Sequence, residues 1–319
     1  MTTLPPVVLY AGHPDQRAEY AEHLSAAFAA EHLDVRLIMD PAEIAPPEVT
    51  HLVFAGHGPL TDLTPYTGLR AILNLWAGVE TILPRPDLPK DVPLCRMVET
   101  GLTLGMVDYV TGHVLRYHLA IDRYIGSAPI TEWERNFPPL AGDRTVGILG
   151  LGTLGQACAG ALKGLGFRVS GWSRSQKSLP GLRCHHGPSG LDALLSEAEI
   201  LVGLLPQTPE TTGLLNAETL ARLPQGACLI NAGRGALIDD AALLKALDNA
   251  HLGHATLDVF DTEPLPTEHP FWVHPKVTVT PHIASVTRPK SASKAIAANI
   301  VRDLAGKALV GVVDRDRGY

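Results

Sequence analysis

An apolar run, Thr145-Val-Gly-Ile-Leu149, leads directly into Gly150-Leu151-Gly152-Thr153-Leu154-Gly155, and a helical pattern opens there and runs through Ala161. Strand, glycine turn and helix in this order predict a βαβ unit that receives a pyrophosphate. Gly150 permits the tight turn, Gly152 lets backbone approach the anion, and Gly155 lets helix and strand pack closely. With Thr153 and Leu154 they form the start of a helix whose free N–H groups carry partial positive charge. A glycine-rich connector without a ligand is the alternative, and the flanking strand and helix patterns count against it.

The same rhythm extends along the chain. Val7–Tyr10, Val35–Ile38, Leu52–Ala55 and Ala71–Leu75 read as strands, with a helix over Asp15–Ala30. A long helical pattern covers Gly101–Tyr124, and a broken segment with Trp133 and Pro138-Pro139 follows. Further strands are expected at Thr145–Leu149, Arg168–Trp172, Ile200–Leu204, Ala227–Asn231, His254–Asp258 and Val277–Thr280, and a last helix at Pro289–Leu304. Residues 84–93, rich in Pro and charge, read as a surface connection. Alternating strands and helices predict an α/β fold with parallel sheets. At 319 residues the chain exceeds the size at which one core keeps growing, so two domains are expected.

Where the second strand of such a unit ends, a carboxylate normally binds the adenosine ribose. Here the strand ends Trp172-Ser173-Arg174-Ser175. Two hydroxyls and a guanidinium suit a 2′-phosphate, and Lys177 adds charge nearby. This predicts NADPH/NADP+ as cofactor, with NADH weaker.

Three polar segments follow later strands: Asn231-Ala232-Gly233-Arg234-Gly235, then Asp258 through Glu263-Pro264, then Pro281-His282. Ligands of open α/β sheets bind outside the carboxyl ends of strands. Arg234 suits a carboxylate beside a ketone, and His282 can donate a proton near neutral pH. Glu263 can accept from the other imidazole nitrogen and fix the tautomer. Taken singly, an arginine, a glutamate before proline and one of 14 histidines each have ordinary structural readings. Their ordered recurrence points to reduction of a small 2-oxo acid.

These segments, GLGTLG, LLPQTPETTGLLN, NAGRGALID, DVFDTEPLP and TPHIAS, resemble the D-isomer-specific 2-hydroxyacid dehydrogenase family over nearly the whole chain. WSRS, LPQTPETTGLLN and the ending VDRDRGY are similar to its branch that reduces glyoxylate and hydroxypyruvate. The resemblance implies a Rossmann-type cofactor domain, residues 103–283, inserted in a discontinuous flavodoxin-like substrate domain, residues 1–102 and 284–319. It implies Arg234, Glu263 and His282 as the catalytic set. Backbone N–H groups of Ala77, Gly78 and Val79 would bind the substrate carboxylate together with Arg234. Asp258 would hold the nicotinamide carboxamide, Ala232 and Gly233 would lie along the cofactor, and Pro206, Thr208 and Thr212 would line its adenosine side. A homodimer through the cofactor domains is implied as well. Trp76 departs from the small residue usual in this branch. It would either narrow the substrate pocket or pack in the core.

Composition narrows the alternatives. The formal net charge is −7, and no basic stripe or long apolar run occurs, so neither nucleic acid nor membrane is an expected partner. Cys95, Cys158, Cys184 and Cys228 have no paired spacing, and the start of the chain lacks a signal-peptide pattern, which together suggest a cytoplasmic protein. The added regulatory domain of some relatives is not expected after Tyr319. No metal site is expected. Cys184-His185-His186 and the pair His251 and His254 read as exposed loop residues, while Met97 and Met106 read as core or hinge. Asp239-Asp240 should start a helix. Two other functions remain open on sequence grounds: a dinucleotide-sensing regulator of this fold, and a methyltransferase that uses the glycine loop for another nucleotide.

Overall fold

Short runs of Val, Ile, Leu and Ala that are buried along their whole length can only be central strands covered on both faces. The computed structural model arranges them in that way. It describes residues 5–125, 133, 135 and 137–319. The chain divides into two units, Met1–Leu102 with Val286–Tyr319, and Thr103–Ser285.

In the first unit come β1 (Val7–Ala11), α1 (Arg17–Ala30), β2 (Arg36–Ile38), β3 (His51–Phe54), β4 (Ala71–Asn74) and β5 (Leu94–Cys95). Then α2 (Thr100–His118) starts, and from Thr103 it belongs to the second unit. The second unit continues with α3 (Asp122–Ile125), β6 (Thr145–Leu149), α4 (Thr153–Gly164), β7 (Arg168–Ser173), β8 (Arg183–His186), α5 (Gly187–Glu197), β9 (Ile200–Gly203), α6 (Ala217–Leu220), β10 (Ala227–Asn231), α7 (Asp240–Asp248), β11 (Leu252–Leu257) and β12 (Val277–Val279). Finally α8 (Pro289–Leu304) returns to the first unit.

The first sheet is parallel in the order β2-β1-β3-β4-β5, the flavodoxin-like arrangement. Val8, Tyr10, Val53, Leu73 and Cys95 of this sheet share a core with Tyr20, Leu24 and Phe28 of α1 and with Ala292, Ile296 and Ile300 of α8. The second sheet, also parallel, runs β12-β11-β10-β9-β6-β7-β8. Counted from β6 this is the doubly wound Rossmann order with a seventh strand at one edge. Strand order reverses between β6 and β9. That switch point opens a crevice at the carboxyl ends of the strands. One face of this sheet is covered by Met106, Val110 and Val114 of α2 with Cys158, Ala159 and Leu162 of α4. Leu191, Leu194, Leu243 and Leu247 of α5 and α7 cover the other.

Several expectations change. Cys184, His185 and His186 are not loop residues but the edge strand β8, paired with β7, and Cys184 and His185 are part-buried. His254 lies within β11 rather than in a loop, and its Nε2 meets Thr278 Oγ1 at 3.0 Å. His251 is part-buried too, its Nε2 3.1 Å from the Leu220 carbonyl. The long helix expected to Tyr124 stops at His118 and resumes as the short α3. Met97 and Met106 are buried in the two cores. The Asp239 side chain caps α7 by accepting the Ala242 N–H at 3.0 Å. All four cysteines are free thiols. No helix among the described residues is long and apolar enough to cross a membrane.

Candidate active site

The phosphate loop starts at the switch point. Gly150 has φ +106°, and a Cβ there would stand 2.8 Å from the Leu204 carbonyl oxygen. A Cβ on Gly155 would clash with the Gly150 carbonyl oxygen, so strand and helix meet backbone to backbone. Gly152 is different: a Cβ there would meet nothing within 4 Å. It is the N-cap of α4 and offers no side-chain cap, so the first N–H groups of the helix, those of Thr153, Leu154 and Gly155, have no capping side chain. The protein's own packing does not require glycine at Gly152. The space above it and the uncapped helix start fit an approaching anion. Lys177 brings a positive charge to the same loop, donating from Nζ to the Leu151 carbonyl at 2.6 Å.

Ser173 ends β7 and is nearly buried, and its hydroxyl donates to the Ser175 carbonyl at 2.8 Å. It therefore shapes the turn that presents Arg174. The Thr208 hydroxyl holds the exposed Glu210 carboxyl below its usual range, with Glu210's own backbone N–H and the Arg174 guanidinium adding to the effect. Arg174 and the 206–212 loop are thus electrostatic neighbours. That loop is organised by Thr211, which sequence reasoning missed. The Thr211 hydroxyl donates to the Pro206 carbonyl at 2.7 Å and accepts the Thr208 N–H at 2.8 Å. Thr212 Oγ1 donates to the Thr208 carbonyl at 3.0 Å.

Asn231 ends β10 with no exposure. Its Nδ2 donates to the Arg234 carbonyl at 3.0 Å, and its Oδ1 accepts the Gly233 N–H at 3.2 Å. Gly233 and Ala232 are buried in this turn, and Arg234 emerges part-buried. Gly235 packs against the 260–261 backbone so closely that any Cβ would collide with Phe260. This contact brings the Arg234 turn beside the segment that carries Glu263.

Glu263 accepts the Phe260 N–H at 2.9 Å through Oε1, while its Oε2 lies 2.7 Å from Nδ1 of His282. Assigning the proton to Nδ1 leaves Nε2 of His282 directed away from Glu263. His282 has φ +55°, a left-handed conformation uncommon among residues other than glycine. Its turn is held firmly. The His282 N–H reaches the Asp258 carbonyl at 2.9 Å, and the Asp258 carboxylate accepts the N–H groups of Ile283 and Ala284, both at 2.8 Å, and the Thr280 hydroxyl at 2.6 Å. Asp258 is 1% exposed, and three protein donors occupy its carboxylate. Sequence reasoning placed it at the carboxamide and missed this tether, because a tether is visible only once β11 and the 280–284 turn are adjacent.

In the first unit, Asn74 of β4 is 1% exposed and organises the 76–78 segment. Its Nδ2 donates to the carbonyls of Trp76 and Gly78, both at 2.9 Å. The N–H groups of Ala77, Gly78 and Val79 have no hydrogen-bond partner among the described residues. Trp76 is part-buried, its ring 5.3 Å from that of His57. Among the described residues no cluster of three or more His, Cys, Asp or Glu could hold a metal ion.

The chain is similar to known proteins. Residues 113–284 match the family model described as D-isomer specific 2-hydroxyacid dehydrogenase, NAD binding domain. A glyoxylate/hydroxypyruvate reductase A from Serratia proteamaculans is 44% identical over 256 residues, 79% of this chain and 82% of its own. The crystal structure of a D-isomer specific 2-hydroxyacid dehydrogenase from Xanthobacter autotrophicus Py2, in complex with NADPH and MES, superposes with a TM-score of 0.90 at 39% identity over 99% of this chain and 100% of that one. An NADPH-dependent glyoxylate/hydroxypyruvate reductase from Sinorhizobium meliloti, in complex with NADP and sulfate, gives 0.86 at 36% identity over the same shares. With its doubly wound sheet, its open phosphate loop and these relatives, the chain belongs to the D-isomer specific 2-hydroxyacid dehydrogenase family.

Proposed function

We propose that this protein reduces small 2-oxo acids, glyoxylate and hydroxypyruvate, to their 2-hydroxy acids with NADPH. The observation that carries the reading is the Glu263–His282 pair at 2.7 Å, on segments packed beside the Arg234 turn. The cofactor is assigned to the loop Gly150–Gly155, to Ser173, Arg174 and Ser175, to Pro206, Thr208 and Thr212, and to Ala232, Gly233 and Asp258. When bound there, NADPH supplies the hydride. The absence of a carboxylate at the end of β7 and the cofactors held by the Xanthobacter and Sinorhizobium relatives favour NADPH over NADH.

Each catalytic residue then has a distinct task. Arg234 offers a planar fork of donors to the substrate carboxylate and carbonyl oxygen, and steadies negative charge as it grows there. His282 gives a proton from Nε2 to that oxygen as the alkoxide forms. Glu263 holds the Nδ1 proton, which fixes the ring plane and stabilises the imidazolium. For Asp258, the Oδ2 atom accepts only the Ala284 N–H and retains acceptor capacity for a carboxamide. The Ala77–Gly78–Val79 segment keeps the carboxylate-binding role suggested by family resemblance, supported by its free N–H groups. Trp76 is assigned to the substrate side of the same segment.

The protein is assigned to the cytoplasm, where its four thiols stay reduced, and to a homodimer. Leu119, Tyr124, Ile125, Trp133, Phe137 and Leu140 are all exposed, an apolar series that a second copy would cover.

The deciding experiment follows NADPH oxidation with glyoxylate, hydroxypyruvate, pyruvate and 2-oxoisocaproate, repeated with NADH. Turnover of the first two with NADPH supports the proposal. Turnover of bulky acids alone changes the substrate, and tight NADPH binding without any turnover turns the reading into a dinucleotide sensor.

A further inference from the structure

The tether under His282 continues into α2. The Thr280 hydroxyl has one proton, and its oxygen lies 2.6 Å from Asp258 Oδ1 and 2.7 Å from the Tyr109 hydroxyl. A carboxylate only accepts, so Thr280 spends its proton on Asp258. Tyr109 must then be the donor to Thr280. The chain has one direction: Tyr109 to Thr280 to Asp258, and Asp258 in turn holds the N–H groups of Ile283 and Ala284, just after His282. Burial pushes the Tyr109 phenol well above its usual range, so it keeps its proton at every working pH. Its ring is seated against His113, with centroids 4.5 Å apart.

We infer that Tyr109 is a positioning residue for the reaction, fixing the proton-donor turn through the Thr280 hydroxyl without touching substrate or cofactor. The inference rests on the reading of His282 as the proton donor. Hydrogen bonds in series strengthen one another, and the donor from Tyr109 also selects the Thr280 rotamer that points at Asp258. Asp258 is 1% exposed, and among the described residues no other hydroxyl stands in for Thr280 at Oδ1 if it turns away. A turn held in a left-handed conformation at His282 relaxes when its restraints weaken. The imidazole would then leave its productive alignment, a loss that falls on turnover rather than on binding.

The test is a double-substitution cycle with Tyr109→Phe and His282→Gln, reading kcat, the glyoxylate KM and the NADPH Kd. Tyr109→Phe is expected to lower kcat on the order of tenfold, with KM and Kd within about twofold. In the His282→Gln background the same substitution should change the residual kcat by less than about twofold. Thr280→Ser, which keeps the hydroxyl, should retain turnover within about twofold, while Thr280→Val repeats the Tyr109→Phe result and carries the test if Tyr109→Phe does not fold. Equal losses in both backgrounds, losses confined to KM or Kd, or an unchanged kcat would overturn the inference. Undiminished turnover in His282→Gln alone would remove the proton-donor reading and this inference with it, and that outcome is read independently of Tyr109.

Discussion

Glu263 is bonded on both sides: one carboxylate oxygen takes the Phe260 N–H at 2.9 Å and the other meets Nδ1 of His282 at 2.7 Å. The carboxylate is anchored before it acts on the ring, so its contribution is orientation as much as charge. Glu263→Gln with its amide oxygen facing His282 turns its NH2 toward the Phe260 N–H, so it loses that anchor as well as the charge that steadies the imidazolium. We expect kcat for glyoxylate to fall on the order of a hundredfold, and to fall further, on the order of a thousandfold, in His282→Gln, with NADPH Kd unchanged in both. Steady-state kinetics and a fluorescence titration check this. A loss smaller in His282→Gln than in Glu263→Gln would reverse the assigned roles.

The phosphate loop separates folding from binding. Gly155→Ala drives a Cβ into the Gly150 carbonyl, whereas Gly152→Ala meets nothing within 4 Å. Gly155→Ala should therefore lower Tm by several degrees or prevent folding. Gly152→Ala should leave Tm of the ligand-free protein within about a degree, yet weaken NADPH binding on the order of tenfold or more, because its methyl stands where the anion approaches. Thermal melts with and without NADPH distinguish the two. Unimpaired binding in Gly152→Ala would show that the open space is not the anion's.

Cofactor preference should lie at the end of β7. Arg174 is exposed beside the 206–212 loop, and no carboxylate competes at Ser173. Arg174→Ala is expected to raise KM for NADPH on the order of tenfold and to leave KM for NADH within about twofold, since only the 2′-phosphate differs. Parallel losses with both cofactors would place Arg174 elsewhere.

Acid should loosen the protein through buried imidazoles. Burial, with the Arg116 guanidinium second, lowers His254 from 6.5 to about 4, and burial likewise lowers His51, His113 and His118. These groups are neutral in the fold at pH values where the unfolded chain already binds protons. Their contribution is complete above about pH 6.5 and is lost as pH falls through the lower folded values. Each added proton tilts stability by about 1.4 kcal/mol per pH unit. Denaturation curves from pH 7.5 to 4.5 should show a falling midpoint, less steep in His254→Gln (about pH 4.5 is where most of the loss is expected). Equal steepness in both proteins would mean that His254 is charged in the fold.

The chemistry of the strand ends was legible from local spacing, and their tethers were not. Thr145–Leu149 and Ala227–Asn231 match their strands residue for residue because apolar runs and the glycine and asparagine that end them are local signals. Arg183-Cys184-His185-His186 carries no such pattern. It is a strand only because β7 pairs with it, Ser170 with Arg183 through Ser173 with His186. His254 read as exposed because histidine usually is, yet its partner Thr278 lies on the neighbouring strand. Arg234, Glu263 and His282 could be nominated by their chemistry. Asp258, Asn231, Tyr109 and Thr211 act through bonds to distant or backbone atoms, which no residue pattern encodes.

Asn231 is the last residue of β10 and Asp258 follows the last residue of β11, and between them they bond the backbone N–H groups of Gly233, Ile283 and Ala284. Those loop amides are wired to the middle of a parallel sheet. Their hydrogen exchange should be slow and should await opening of the second unit as a whole, unlike that of ordinary connecting segments. Heat inactivation and global unfolding would then share one midpoint, and the protein would have no temperature interval in which it is folded but idle.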